Sequence, residues 1–358
     1  LKGSTARTDY NADDVFPENF FSVGEEWSGG HLVYGYKVEN VAITGEGTID
    51  GSGPDFFGEA ESVGWFPWYK YGLKLHPLDR TWFRPGPMIA FFLSRNIRFE
   101  GVTFANTPCW TVHLRCCDGV RATGVTIAAD REIANSDGFS IDCTRNVEIE
   151  GCTVRTGDDG IAIRASCTRH AVTNACEHIR VRDCDIASCC YGIRLGIGSG
   201  TIRDVVFENC LFAGNETVSG GALFFAASGR VAEFVNCTFA SNRTDQIFRS
   251  FNSSGTRASL VNCIVAGNVA GDFGGGFSYG SVENCTVTGN RLSRTTGEGA
   301  GGSWADFLVN SILTGNFAAD GETEKNYQGN DNTIISCFTE GDPRLDADYR
   351  PLPGCPAI

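Results

Sequence analysis

The chain has 358 residues, of which 42% are hydrophobic, so it can form one large domain or two or three ordinary ones around a sizeable core. Its 43 acidic residues outnumber its 29 basic ones, and the net charge of -14 opposes binding to nucleic acid or to an anionic membrane, because both require a basic surface. No stretch approaches the roughly 18 apolar residues of a membrane span, and the first residues show no signal-peptide pattern.

A short phrase recurs along the chain and marks a strand that ends at a turn. It reads Asn-Val-Ala-Ile-Thr-Gly from Asn40, Asn-Ile-Arg-Phe-Glu-Gly from Asn96 and Asn-Val-Glu-Ile-Glu-Gly from Asn146. The repeating unit contains two or three such strands and has no helical periodicity, which is typical of a parallel β-helix whose coils bury one another's apolar faces. The sequence therefore predicts an all-β fold, a single-domain right-handed parallel β-helix (β-solenoid).

Four segments align without gaps as one strand on successive coils. They begin at Trp110, Asp137, Asp159 and Tyr191, and each has apolar residues at its third and fifth positions. Because side chains alternate along a strand, the third and fifth residues face the core and the fourth faces outward. The predicted outward-facing residues are His113, Ser140, Ala162 and Arg194.

The domain organisation follows the same repeat, and no linker interrupts it. We predict one parallel β-helix domain over residues 1–358, with the candidate active site on the coils of residues 1–215. A Gly- and Asn-rich continuation of the helix covers residues 216–340, and an irregular, Pro-containing tail covers residues 341–358.

The chain has 16 cysteines, and the spacing of six of them follows the repeat. Intervals of 22 to 32 residues in strand-like contexts favour a stack of buried thiols, although disulfides or a metal site are alternatives. No Cys-x-x-Cys pair suggests zinc. The six residues are Cys152, Cys184, Cys210, Cys237, Cys263 and Cys285.

Three carboxylates are predicted to converge. Asp137 and Asp159 are 22 residues apart, which is one coil in the alignment above, and Asp158 directly precedes Asp159. Like charges this close disfavour simultaneous ionisation, so one pKa is expected to rise and give a protonated acid beside an ionised base, as glycoside hydrolysis requires. Two alternatives stay open for these residues: aspartates that bond backbone amides in turns, and a calcium site.

Both acidic segments carry motifs that point to a known family. Asn135-Ser136-Asp137-Gly138 and Gly157-Asp158-Asp159-Gly160 resemble the paired acidic motifs of family 28 of the glycoside hydrolases, the polygalacturonases and related pectin-degrading enzymes. Segments that begin at Asn40, Arg84 and Asn106 resemble earlier landmarks of the family. The resemblance is specific over roughly residues 1 to 210 and fades beyond them. Leu1-Lys2-Gly3-Ser4 resembles a point well inside the family pattern, so the first coils and their cap are expected to be missing.

The resemblance implies a mechanism and a set of site residues. Asp158 would protonate the glycosidic oxygen, while Asp137 and Asp159 would activate the attacking water, with inversion and without a metal or cofactor. The resemblance also implies a secreted or periplasmic protein. Residues expected to bind substrate are Asn135, Trp110, His113, Arg164, Tyr191 and Arg194, although a lone His such as His113 is often structural.

Two family motifs are altered in this chain. The family's His-Gly motif falls at Tyr191-Gly192, and its Arg-Ile-Lys motif falls at Leu223-Phe224-Phe225, which leaves neither cation to hold a galacturonate carboxylate. Arg164 and Arg194 could supply a substitute charge, because a guanidinium suits bidentate carboxylate binding. Solvated strand arginines are an equal alternative for both.

The sequence as a whole predicts an inverting glycoside hydrolase that cleaves a pectic or related plant or acidic polysaccharide with three aspartates. Its expected partner is a polysaccharide or oligosaccharide substrate, with no nucleic acid, membrane, cofactor or metal, and the oligomeric state is left open. Two alternatives are a polysaccharide lyase, which would need calcium and a basic residue, and a glycan-binding adhesin, which the Gly-, Asn- and Ser-rich repeats favour.

Overall fold

A computed structural model describes residues 1–10, 30–59, 71–73, 84–166, 174–216, 222–226, 231–244, 246–250, 257–271, 274–278, 280–294, 299–328 and 334–355. Over these ranges the regular structure is 36 strands with two short 3-10 helices, Arg7–Asp9 and Gly53–Phe56. None of the described helices is long and apolar enough to cross a membrane. The chain forms two compact units, Leu1–Ile179 with Gly196–Arg203 (the first unit) and Arg180–Leu195 with Asp204–Ile358 (the second unit).

The first unit is built from three parallel sheets, and each full coil supplies one strand to each sheet. The first sheet contains β1 (Val33–Tyr36), β6 (Ile89–Phe92), β9 (Val112–Arg115), β12 (Phe139–Asp142) and β15 (Ile161–Arg164). The second contains β2 (Glu39–Thr44), β7 (Arg95–Glu100), β10 (Asp118–Thr123) and β13 (Arg145–Glu150). The third contains β3 (Thr48–Asp50), β8 (Thr103–Ala105), β11 (Thr126–Ala128) and β14 (Thr153–Thr156), and β4 (Phe57–Glu59) pairs antiparallel with β5 (Tyr71–Leu73).

The second unit repeats this arrangement. Its strands pair in parallel in three series. The first is β18 (Ile193–Leu195), β21 (Ala222–Ala226) and β25 (Gln246–Ser250), and the second is β22 (Val231–Val235), β26 (Arg257–Val261), β30 (Gly280–Glu283), β34 (Phe307–Val309) and β36 (Ile334–Ile335). The third is β17 (Asp185–Ser188), β20 (Leu211–Ala213), β23 (Thr238–Ala240), β27 (Ile264–Ala266), β31 (Thr286–Thr288) and β35 (Ile312–Thr314). Shorter strands are β24 (Arg243–Thr244), β28 (Val269–Ala270), β32 (Arg291–Leu292), β29 (Phe277–Ser278) and β33 (Ser303–Trp304). The remaining strands, β16 (Ala175–Arg182) and β19 (Thr201–Glu208), contain residues of both units.

The register in the second sheet explains the recurring phrase. Val41 pairs with Ile97, and Val147 reaches the same position through Val120 of the intervening coil. The Asn that opens the phrase adopts a left-handed conformation at Asn40, Asn96 and Asn146, and Gly119 takes its place on β10. Asn and Gly enter that region at low cost, so the phrase marks one corner of the coil.

The interior of each unit is formed by side chains that stack from coil to coil. In the first unit Phe99 packs edge-on against Phe91 and Phe104. In the second unit the stacked pairs Phe207–Phe234 and Phe212–Phe239 have ring centroids 5.0 and 4.9 Å apart. Spacings near 4.8 Å are those of adjacent strands, so in-register strands bring identical rings into contact.

Polar side chains also stack inside the second unit. The six cysteines of the predicted stack are buried thiols, five of them in this unit and Cys152 in the first unit, and no disulfide occurs among the cysteines of the described ranges. A second ladder, formed by amides, links asparagines whose Nδ2 atoms each donate to the Oδ1 atom of the next residue at 2.7 to 3.0 Å. All are buried except the last, Asn326, which is partly exposed. Its members are Asn215, Asn242, Asn268, Asn290, Asn316 and Asn326. The parallel β-helix predicted from the repeat is confirmed.

Candidate active site

The predicted coil alignment is correct around the acidic motifs. Phe139 of β12 pairs with Val112 on one side and with Ile161 on the other. Two residues before Phe139, Val112 and Ile161, the same register places Asp137 beside Trp110 on one coil and beside Asp159 on the next. The backbone supports this placement, because Gly138 N–H donates to the Asp159 carbonyl at 2.8 Å.

Glycine is required next to Asp137. A Cβ atom added to Gly138 would lie 2.3 Å from the carbonyl oxygen of Gly160. Contacts below about 3 Å to backbone atoms force the chain to move, so only glycine lets these two turns approach so closely. The Asp-Gly pair therefore sets the spacing of the coils at the position where Asp137 and Asp159 meet.

Asp158 is fixed by backbone amides. Its Oδ1 atom accepts from Asp159 N–H at 2.9 Å and its Oδ2 atom accepts from Asn135 N–H at 3.1 Å. The turn that carries it is held by the Thr156 hydroxyl, which donates to the Asp158 carbonyl at 2.6 Å. The Asp158 side chain therefore has a fixed position at the end of β14, and the residue is 8% exposed.

Asn135 lies next to Asp158 and contacts it through its backbone N–H rather than through its side chain. Its left-handed conformation (φ 55°) directs its N–H to Asp158, while its Oδ1 atom accepts from Arg84 Nη2 at 2.7 Å. Arg84 also donates through Nη1 to the Ala134 carbonyl at 2.7 Å. Arg84 was absent from the predicted site residues, although the Arg-Pro segment that begins there is one of the family-like landmarks.

Ser136 holds the two acidic motifs together. Its hydroxyl accepts from Gly157 N–H at 3.0 Å and donates to the Ile133 carbonyl at 2.7 Å. A hydroxyl at this position is what the Asn-Ser-Asp-Gly motif shares with the Asn-Thr-Asp-Gly form of the family. Sequence spacing alone gave no sign that this hydroxyl bridges to the next coil.

Arg164 is buried beside Asp137. Its Nη2 atom lies 3.6 Å from Asp137 Oδ2, and both side chains are 2% exposed. The guanidinium carbon lies 4.0 Å from the centroid of the Trp110 ring, which is itself 1% exposed. A second arginine on the same face, Arg115, lies 3.9 Å from Asp142 in a similar buried pair.

The outer face of the first sheet is buried, although the alternation along its strands predicted that this face points outward. All four residues of β9, of β12 and of β15 are buried, whereas β13 in the second sheet alternates between exposed and buried residues. His113, Ser140 and Ala162 do share one column, but each is at most 3% exposed. The interpretation of Arg164 as a solvated strand arginine is therefore wrong.

His113 is part of an aromatic cluster on that face. Its ring packs edge-on against Trp110 and Phe92, with centroids 5.0 and 5.2 Å away. Burial holds the pKa of His113 well below its usual value, and the cations of Arg115 and Arg164 lower that pKa further. Neither ring nitrogen has a hydrogen-bond partner among the described residues, so His113 is a neutral imidazole.

Tyr191 and Arg194 belong to the second unit. Both side chains are partly exposed, and the Arg194 guanidinium lies 5.5 Å from the Tyr191 ring centroid. Arg194 of β18 pairs in register with Phe225 of the adjoining strand β21. The side chains of Leu223 and Phe225, at the place of the family's Arg-Ile-Lys motif, lie outside what the structure describes.

The carboxylates of the first unit offer few ligands for a metal ion. An oxygen of Asp158 and one of Asp159 lie within 4.8 Å of each other. Calcium takes about six to eight oxygen ligands. Among the described residues of the first unit, no third His, Cys, Asp or Glu joins these two at that distance.

The comparison with known families covers this site. The sequence model of glycosyl hydrolases family 28 matches residues 14–216, which is more than half of the chain and includes all three aspartates. The chain belongs to family 28 of the glycosyl hydrolases. The match ends near the point where the resemblance in the sequence fades.

Two curated relatives of this family 28 protein are plant proteins. A probable polygalacturonase of Vitis vinifera is 28% identical over 192 residues, which cover 52% of this chain and 36% of the relative. A probable polygalacturonase of Arabidopsis thaliana is 27% identical over 191 residues, which cover 52% of this chain and 34% of the relative. The chain thus spans about a third of the length of these relatives.

A solved structure shares the fold. The exopolygalacturonase of Thermotoga maritima aligns with a TM-score of 0.52 at 21% identity, over 91% of this chain and 77% of that one. At this level of identity the similarity supports the parallel β-helix fold alone.

Proposed function

We propose that the protein is an inverting glycoside hydrolase that cleaves a pectic or related acidic polysaccharide. The observation that supports the proposal is the register that puts Asp137 beside Asp159 on successive coils, next to Asp158, with all three at most 8% exposed. Membership of family 28 supports the reaction class. A pectic polymer lies outside the cell, so we also propose that the protein acts in secreted or periplasmic form.

The proposed roles follow from how each carboxyl group is held. Asp158 protonates the glycosidic oxygen as the bond to the leaving group breaks. Asp137 and Asp159, which occupy the same position on neighbouring coils, accept the proton of the attacking water. Inverting enzymes commonly hold the acid and the base about 6.5 to 9.5 Å apart. An oxygen of Asp158 and one of Asp159 lie within 4.8 Å of each other, so the proposal of inversion rests on the resemblance to family 28 and not on this distance.

The proposed substrate differs from plain homogalacturonan. The family's Arg-Ile-Lys cations are replaced at Leu223-Phe224-Phe225, and Arg164 is already engaged by Asp137 at 3.6 Å. A desolvated carboxylate without a cationic partner costs several kcal/mol. A neutral sugar at that subsite, or a carboxylate that reaches Arg194, fits better, as in rhamnogalacturonan-type or other mixed pectic oligosaccharides.

A screen of pectic and other plant-glycan oligosaccharides, read by product analysis, tests the reaction class. Hydrolysis gives saturated products and persists in the presence of a chelator. A lyase would instead give an unsaturated product that absorbs in the ultraviolet, and its activity would stop when calcium is removed. Binding of these glycans without any cleavage would contradict the proposed enzymatic function.

A further inference from the structure

The Asp137 carboxylate lies in a buried site beside the Arg164 guanidinium, which is held on two sides. Arg164, the last residue of β15, places Nη2 3.6 Å from Asp137 Oδ2, and its guanidinium lies over the Trp110 ring at 4.0 Å. Trp110, Asp137 and Arg164 are each at most 2% exposed. The indole stacks on the flat guanidinium while the carboxylate approaches it, so the arginine has little freedom to turn towards a substrate.

A cation in such a place acts on the protonation of its neighbour. An arginine is protonated at every accessible pH, and an opposite charge within about 4 to 6 Å favours the ionised form of a carboxyl group. Solvent screens this interaction little, because both groups are removed from water. A proton acceptor must be ionised before the water attacks, so the cation supplies the form of Asp137 that the reaction needs.

The other charged and titratable groups around Asp137 are compatible with this effect. Arg115 is paired with Asp142 at 3.9 Å, so these two charges balance each other. His113 is neutral, because burial and the two arginines hold its pKa well below its usual value. Asp159 opposes ionisation of Asp137 by its negative charge, and the nearby cation of Arg164 offsets this effect. Asp158, the proposed proton donor, adds a negative charge only after it has given up its proton.

We propose that Arg164 is a positioning residue that holds Asp137 in its ionised form and in a fixed orientation, and that it does not bind the substrate. The inference rests on the proposed function in one respect, the role of Asp137 as acceptor of the water proton. It reassigns Arg164 from the substrate-binding residues predicted from the sequence. It also leaves Trp110 as the platform for this arginine rather than as a platform for a sugar.

The first experiment measures the protonation of Asp137 directly and does not require catalytic activity. Aspartate labelled with 13C at Cγ is incorporated into the protein, and the Asp137 signal is identified by its loss in Asp137→Asn. We expect Arg164→Gln to raise the titration midpoint of Asp137 by about 1 to 3 units, the range for losing an adjacent cation. Arg115→Gln is the matched control, because Arg115 is a buried arginine on the same face that pairs with Asp142. This variant should leave the Asp137 midpoint unchanged.

The second experiment measures how catalysis depends on pH. In Arg164→Gln the acidic limb of the kcat/KM profile should move to higher pH by the same shift, while KM for a neutral oligosaccharide stays within about twofold. Arg164→Lys keeps the cation and should restore most of the profile. Circular dichroism confirms that each variant is folded before it is compared.

Three outcomes separate the possibilities. An Asp137 midpoint that stays unchanged in folded Arg164→Gln overturns the inference. A rise in KM confined to acidic substrates, with the acidic limb unmoved, also overturns it, because Arg164 would then bind the substrate carboxylate. If the unaltered protein hydrolyses no glycan, the proposed function fails, and the NMR titration still decides whether Arg164 controls the ionisation of Asp137.

Discussion

The Asp137 carboxylate and the Arg164 guanidinium approach to 3.6 Å, and each side chain is 2% exposed. Separating such a pair by removing one partner is far more costly than the pair's net contribution to folding, because an uncompensated charge is left buried. The pair is therefore best understood by what it does to Asp137. The predictions below concern the reaction and the structure that supports it.

Replacing Asp158 with Asn removes the proposed proton donor and keeps the size of the side chain. We expect kcat on natural oligosaccharides to fall by about 10²- to 10⁴-fold, the usual contribution of a general acid. The loss should be much smaller for aryl glycosides with good leaving groups, because these need no protonation. Asp137→Asn and Asp159→Asn should impair both substrates alike. Equal losses in all three variants on both substrates would leave Asp158 without the role of acid.

The stereochemistry of the product tests the water-activating pair. If Asp137 and Asp159 accept the proton of the attacking water, the water attacks the anomeric carbon directly, and the reducing end released first should have the inverted anomeric configuration. Proton NMR during the first minutes of turnover distinguishes it from the retained anomer before mutarotation mixes the two. Initial appearance of the retained anomer would exclude Asp137 and Asp159 as the pair that activates water.

The altered cation motif predicts the substrate preference. With Leu223 and Phe225 in place of the family's Arg and Lys, we expect weak or no activity on polygalacturonic acid and higher kcat/KM on rhamnogalacturonan-type or other mixed pectic oligosaccharides. Arg194→Ala should lower activity on any substrate whose carboxylate reaches this residue. Activity on polygalacturonate as high as on every other glycan, and insensitive to Arg194→Ala, would contradict the prediction.

Gly138 tests the close approach of the two acidic turns. A Cβ atom there would lie 2.3 Å from the Gly160 carbonyl, so Gly138→Ala should lower the free energy of unfolding by about 1 to 3 kcal/mol and displace Asp137. Gly47→Ala is the matched control, because nothing lies within 4 Å of the added atom. Chemical denaturation of both variants measures the difference. Equal stability would show that the turns can separate without cost.

The neutral state of His113 predicts how stability depends on pH. The pKa of His113 is lowered in the folded state, so below about pH 6.5 the unfolded chain binds a proton that the folded chain does not. Stability should therefore fall as the pH decreases below that point, by up to about 1.4 kcal/mol per pH unit from this residue. His113→Phe should reduce the slope by this amount in denaturation at several pH values. A slope that is the same in His113→Phe as in the unaltered protein would contradict the prediction.

The sequence by itself determined the repeat and the meeting of the acidic motifs. In a parallel solenoid, residues one coil apart become neighbours in space, so the phrase at Asn40, Asn96 and Asn146 fixed the register of the second sheet. The same rule placed Asp137 beside Asp159. Spacing along the chain is enough for such relationships, because a coil returns to the same position after each repeat.

Only the tertiary structure decided what surrounds those aspartates. Alternation along β9 and β15 indicates which face His113 and Arg164 occupy, but whether that face meets solvent depends on packing by parts of the chain distant in sequence. The burial of Arg164 against Trp110, and its pairing with Asp137, could not be read from local pattern for this reason. The amide ladder from Asn215 to Asn326 is similar: each asparagine looks like an ordinary turn residue until the coils stack and join the amides.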